Sequence, residues 1–229
     1  EGSVEYIVDR GVPKAKITYV PNGVHLESFT DGRTRDEGRK KYGFDKFTLG
    51  YVGVNGPSHG LDYLVDAMAL IHNPGMELVL VGNGPARSGL RQRIQNLGLK
   101  NVRLMEAVPK TEIPLLLKAL DVGILSLRRA DCFSYGISPN KLFDYLAAAR
   151  PVLAIVDGWT AELVRNENCG TVCNQEDPRS IADGIITLAG MTLSQLRDMG
   201  QNGRRIVEEH FNRKVWAQVY LMRLLNIAE

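Results

Sequence analysis

The sequence predicts a doubly wound α/β domain built on a parallel sheet. Three observations carry that prediction. Short apolar runs of strand length recur along the chain, bounded by glycine. Most of them give way to a longer stretch with apolar residues at helical spacing. The runs show little polar alternation, the pattern of strands buried on both faces. Right-handed crossovers between such strands wind helices onto both sides of one sheet.

The elements follow in order. SVEYIVDRG (3–11) reads as a short helix, and ITYV (17–20) as a strand ending in the turn signal Pro21-Asn22-Gly23. TLGYVG (48–53) leads through a glycine-rich loop to the helical LDYLVDAMALI (61–71). ELVLVG (77–82) leads to ARSGLRQRIQNLG, and VRLME (102–106) to TEIPLLLKAL. VGILSL (122–127) is followed by a long loop and then by PNKLFDYLAAA. VLAIV (152–156) leads to TAELVRNEN, and GTVC (170–173) to PRSIADGIITLAG. The last 40 residues carry two helical patterns with no strand after them. The organisation expected is a lead-in over 1–45, a ligand-binding α/β domain over 46–190, and helices over 191–229.

Composition bounds the function. Of 229 residues, 44% are hydrophobic and 24% charged, which is ordinary for a soluble globular protein. A net charge of +2 is too balanced to argue for nucleic acid as a partner. The basic run RTRDEGRKK (33–41) reads as a solvated helix face, with an anionic membrane surface as the alternative. No apolar run approaches the roughly 20 residues of a spanning helix. The chain lacks a signal-peptide pattern and does not begin with methionine, so a piece of a longer protein is expected. Three cysteines, Cys132, Cys169 and Cys173, argue against a disulfide framework and for a reducing compartment. Their spacing fits no common zinc site, and no Asp-x-Asp pair occurs to hold a divalent ion.

Open parallel sheets bind ligands beyond the carboxyl ends of their strands, so the loops there hold the candidate site. The first is GVNGPSHG, with Gly53, Asn55, Gly56 and His59. Glycines let backbone N–H groups approach an anion, and His59 is placed to donate to a phosphate oxygen. The glycine spacing is not the dinucleotide fingerprint, and no acidic residue follows the next strand, which argues against a nicotinamide cofactor. The second loop brings Gly82, Gly84 and Arg87. Either loop also serves as a plain tight turn.

The third loop runs from Arg128 to Ser138, long for an α/β unit. Ser138 is expected as N-cap and Pro139 at the first helical position. The helix start then offers the N–H groups of Asn140 and Lys141, and Lys141 adds a full charge. This is a diphosphate site in outline. Asp144, one turn on, is expected on the same face, where a carboxylate accepts from two ribose hydroxyls. A solvated Lys141–Asp144 pair is the plain alternative.

Taken together, PNGV, GYVG…GLDYLVDA, VLVGNGP, ADCF…PNKLFDYLAAARPV, AELV…CG and GRRIVEEHF resemble, in order, one family. It is the C-terminal, donor-binding domain of the retaining glycosyltransferases with two Rossmann-like domains, the GT-B fold, of family four. The PxKxF-acid-Y helix followed by RPV resembles the subgroup that builds surface polysaccharides on lipid-linked acceptors. The resemblance implies a donor that is a nucleoside-diphosphate sugar, UDP- or GDP-linked, with no cofactor or metal required. It implies contacts from Val108 and Leu142 as well as the residues above, with Lys141 stabilising the leaving group. It implies an acceptor domain before residue 1, to which the helix from about Asn212 crosses, and cytoplasmic work, with a peripheral place at the inner membrane face as the alternative. The isolated chain is then expected to be inactive.

The sequence departs from the family pattern at four positions. Asp144 stands where the family has the second glutamate of a pair, and Gly136 where it has the first. Val54 and His59 stand where it has a phosphate-binding arginine and lysine. Phosphate neutralisation is thereby shifted to Lys141, backbone N–H groups and Arg87 or Arg128. Two alternatives remain at this level: a sugar-nucleotide hydrolase or epimerase of the same architecture, and a non-catalytic nucleotide-sugar-binding subunit.

Overall fold

The structure is a computed structural model and describes residues 2–129 and 139–227. Six strands form one parallel sheet: β1 (Phe47–Val52), β2 (Met76–Val81), β3 (Val102–Met105), β4 (Val122–Ser126), β5 (Val152–Ile155) and β6 (Gly170–Val172). Their spatial order is β3-β2-β1-β4-β5-β6, and every pairing is parallel. All six were expected from the sequence. The chain winds outward from β1 to β3, then returns to the middle and winds the other way from β4. The strand order therefore reverses between β1 and β4, and doubly wound sheets bind ligands at that switch point.

Helices cover both faces. On one side lie α3 (Leu61–Ala69), α4 (Arg87–Asn96) and α8 (Pro178–Ala189). Their apolar side chains close over Leu49, Leu78, Ile124 and Leu153. On the other lie α5 (Ile113–Ala119), α6 (Asn140–Ala147) and α7 (Trp159–Asn166), over Val79, Val81, Leu125 and Val152. Burial of these side chains from water is the main force holding the layers together. α9 (Leu193–His210) packs on α6, and α10 (Arg213–Ile227) follows it.

The first 45 residues depart from expectation. α1 (Gly2–Val8) forms, but 17–20 is not a strand. Its Tyr19 and Val20 side chains are exposed, and these residues pair with no strand among the described residues. Strand propensity alone does not make a strand; a neighbouring strand has to pair with it. The polar stretch after it holds α2 (Arg35–Tyr42), opened by a capping box between Thr34 and Glu37. The basic run is not a purely solvated face. Arg35 and Arg39 both pair with the buried Asp121, and Asp121 also accepts from the Thr48 N–H at 2.8 Å. Arg33 pairs with Asp31, and Lys41 with Glu112 at 2.6 Å. These charges fasten α2 across the amino end of the sheet.

Candidate functional site

The crevice at the switch point is built from three backbone pieces. The loop after β1 carries Gly53, Asn55 and Gly56 into a short helical turn, Pro57–His59. The loop after β2 lies against it: the Asn55 N–H donates to the Asn83 carbonyl at 2.9 Å, and the Ala86 N–H to the Asn55 carbonyl at 2.9 Å. The Asn55 side-chain amide reaches the Gly82 carbonyl at 3.0 Å. Gly82 has φ of +131°, and a Cβ there would stand 2.0 Å from the Gly53 carbonyl oxygen. Only glycine permits that approach. At Gly84, with φ of +152°, a Cβ would stand 2.5 Å from the Asn55 carbonyl oxygen.

The third piece is the start of α6. It opens at Asn140, one residue later than expected, and Pro139 holds an extended cap position with ψ of 130°. Proline fixes φ alone, and the extended ψ keeps Pro139 outside the helix. Among the described residues no side chain caps the helix; the Leu142 N–H donates to the Pro139 carbonyl at 3.1 Å. Leu142 itself is wholly buried in the core. The expected cap Ser138, with Gly136 and Cys132, lies outside the described residues. The helix start is held from outside by Asn140, whose side-chain oxygen accepts from Asn22 at 2.7 Å and from Arg213 at 3.2 Å.

Lys141 reaches from α6 across the crevice. Its chain lies over Gly53, where a Cβ would fall 2.2 Å from Lys141 Cε. Its Nζ donates to the Tyr51 hydroxyl at 2.6 Å and sits 4.3 Å from the centre of that ring. Burial pulls the Lys141 ammonium down to about 8. Among the described residues no carboxylate pairs with it. His59 stands close by, its ring 5.7 Å from that of Tyr51. Burial, and then the charge of Lys141, hold His59 below its ordinary value.

Lys141 and Asp144 do not pair. Asp144 points into a cleft of about 270 Å³ lined also by Ser28, Phe29, Lys110, Asn140 and Arg213. Burial pushes its carboxyl above the usual range, against the pull of Arg213 and Lys110. The half-buried carboxylate and the half-buried ammonium thus face different spaces: Asp144 lines this cleft, and Lys141 does not. Val108, half-buried, follows β3 and packs against the core on the side of the sheet that carries α5 and α6.

Two expected cations are engaged within the chain. Arg87 donates to the carbonyls of Gly82 at 2.6 Å and Met105 at 2.8 Å, and to the Glu106 carboxylate at 2.7 Å. Arg128 grips both oxygens of Asp62, at 2.8 and 2.7 Å, and the Pro57 carbonyl at 2.9 Å. Val54 is exposed, and its carbonyl accepts from the Tyr51 hydroxyl at 2.8 Å. Tyr51 and Arg213 were not foreseen. A lone tyrosine in an aliphatic strand, two residues before a glycine loop, was the available signal for Tyr51. Among the described residues no cluster of histidine, cysteine or acidic side chains is arranged to hold a metal ion.

Known proteins resemble this chain in sequence and in fold. The profile of the family described as "Glycosyl transferases group 1" matches residues 46–190. TuaH of Bacillus subtilis (strain 168), named for teichuronic acid biosynthesis, is 27% identical over 140 residues, covering 61% of this chain and 34% of TuaH. HepE of Anabaena, solved with UDP-glucose, superposes with a TM-score of 0.81 at 21% identity, covering 98% of this chain and 61% of that one. A glycosyltransferase of Rickettsia africae superposes with a TM-score of 0.83 at 15% identity, covering 100% and 62%. The chain therefore spans about a third of the length of TuaH.

Proposed function

The chain belongs to the glycosyl transferases group 1 family, and from that membership we propose that it is the donor-binding half of a retaining glycosyltransferase. The donor is a nucleoside-diphosphate sugar. Its diphosphate lies against Lys141 and the start of α6, and its ribose against Asp144. The observation that carries this reading is Lys141: a half-buried ammonium with no carboxylate partner among the described residues, reaching over a glycine loop at the switch point. A buried cation without a counter-ion is costly, and an incoming anion relieves that cost.

During transfer the bond between the anomeric carbon and the diphosphate oxygen breaks and its electron pair stays on that oxygen, while the acceptor hydroxyl oxygen bonds to the anomeric carbon on the same face and its proton passes to the departing diphosphate. Lys141 and the N–H groups of the helix start donate to the charge that develops there. UDP is the preferred nucleotide in this reading, because HepE was solved with UDP-glucose. The acceptor is held by a domain outside this chain, and work at the inner face of a membrane on a lipid-linked acceptor fits the polysaccharide relatives. Among the described residues no helix is long and apolar enough to cross a membrane. The exposed Leu221, Met222 and Leu225 on α10 fit a helix that crosses to a missing domain.

Calorimetric titration of UDP, GDP and uridine tests the proposal. A Kd of about 10 µM to 1 mM for one diphosphate, roughly −7 to −4 kcal/mol, is expected for a half-site. No binding of either diphosphate overturns it. Sugar transfer by the 229-residue chain alone overturns the assignment as a half.

A further inference from the structure

Tyr51 is the last large side chain of β1 before the glycine loop, and it is fully buried. Its hydroxyl has two partners with opposite demands. It donates to the Val54 carbonyl at 2.8 Å, which commits its single proton to the loop. Its oxygen accepts from Lys141 Nζ at 2.6 Å. The lysine stem lies over Gly53, and its charge lies above the tyrosine ring. Lys141 has two further N–H donors for the crevice.

We infer that Tyr51 is a positioning residue for the diphosphate, tying the Lys141 ammonium to the loop carbonyl of Val54 so that cation and loop meet the ligand as one unit. This rests on the reading of Lys141 as the diphosphate anchor. Without the hydroxyl, a flexible four-carbon stem is held only by packing, and the ammonium loses its fixed direction. The Val54 carbonyl loses a donor at the same time, so the loop after β1 loosens beside it. Among the described residues, the titratable groups facing Lys141 from other elements are Tyr51 on β1 and His59 on the turn after it. Asp144, on its own helix, turns into the neighbouring cleft. Burial pushes the Tyr51 phenol up, so the hydroxyl keeps its proton and its direction across the working pH range.

Tyr51→Phe keeps the ring and removes the hydroxyl. In the ligand-free protein, the Lys141 resonances followed by NMR should titrate at a lower pH in Tyr51→Phe, because the charged form has lost an acceptor. In calorimetry, UDP should bind roughly fivefold to tenfold more weakly, the size of one net hydrogen bond, while uridine binds as in the wild type. In a Lys141→Met background the same change should weaken UDP by clearly less than in the wild-type background, since only the loop contact is left to lose. A purely structural tyrosine would lower thermal stability and move none of these three readouts. An unmoved lysine midpoint with intact UDP binding overturns the role of Tyr51 alone. Equal UDP losses in both backgrounds also overturn it. A wild type that binds neither UDP nor GDP sinks the proposed function and the ligand part of this inference, while the ligand-free titration still decides the link between Tyr51 and Lys141.

Discussion

The hydroxyl of Tyr145 stands between β1 and β4 and takes the backbone N–H of Val52 at 3.0 Å. It donates in turn to the Gly50 carbonyl at 3.2 Å. Pairing of β1 with β4 covers only Leu49 with Val122 and Gly50 with Gly123. Beyond that point a side chain from α6 replaces the neighbouring strand, and the sheet parts at its carboxyl end. The helix that supplies Lys141 and Asp144 therefore also holds the crevice open. Gly123 makes room for it: a Cβ there would fall 2.2 Å from the Tyr145 ring.

Tyr145→Phe should leave the Val52 N–H without its partner in a buried place. The expected loss is about 1–3 kcal/mol, the cost of an unsatisfied buried group. Urea unfolding monitored by circular dichroism measures it, with a lower midpoint and an unchanged slope. An unchanged midpoint would mean that β1 does not depend on the tyrosine.

Lys141 should cost stability. Its ammonium is held at about 8 in the folded chain, against 10.5 for the ordinary group, because burial disfavours the charge. The unfolded chain binds the extra proton between those values, so stability rises with pH from about 8 to about 10.5. Lys141→Met should remove that cost and raise stability at pH 7 by about 1–3 kcal/mol, an advantage that fades as pH climbs through the window. Diphosphate affinity should move the other way. UDP should bind wild type more weakly as pH rises through about 8, and Lys141→Met should bind it weakly at every pH. Thermal melts and titrations at pH 7, 8.5 and 10 measure both.

Much of this was legible in the sequence. The six sheet strands were readable because parallel strands buried on both faces leave unbroken apolar runs, as ELVLVG and VGILSL do. ITYV looked the same, but a strand exists only through its partner, which local sequence does not name. Lys141 and Gly53 could each be picked out as candidates. That they touch could not, since 88 positions separate them and the contact depends on how α6 docks. The partners of Arg87 and Arg128 were hidden for a related reason. A cation in a loop reads as available, and their carboxylate and carbonyl partners appear only after folding. Tyr51 was hidden because a buried tyrosine in a strand reads as core.

Asp144 supplies the last prediction. It faces a cleft that Lys141 does not enter, so its effects should separate from those of the lysine. Burial raises its carboxyl, so the folded chain holds a proton more readily than the unfolded one. Stability is then lost as pH rises from the ordinary carboxylate value through the raised one, and the charged form is a burden at pH 7. Asp144→Asn should therefore melt higher than wild type at pH 7, with the difference gone in acid below both values. The same change should weaken uridine as well as UDP, by roughly tenfold, about the worth of a hydrogen bond to a charged group. Lys141→Met should leave uridine alone. Asp144→Glu restores the residue type that the resemblance places here and lengthens the side chain by one methylene. It should bind uridine at least as tightly as wild type, and titration of both ligands into the three variants measures each effect. Uridine affinity unmoved by Asp144→Asn would remove the ribose from this cleft, and with it the division of the ligand between the two residues.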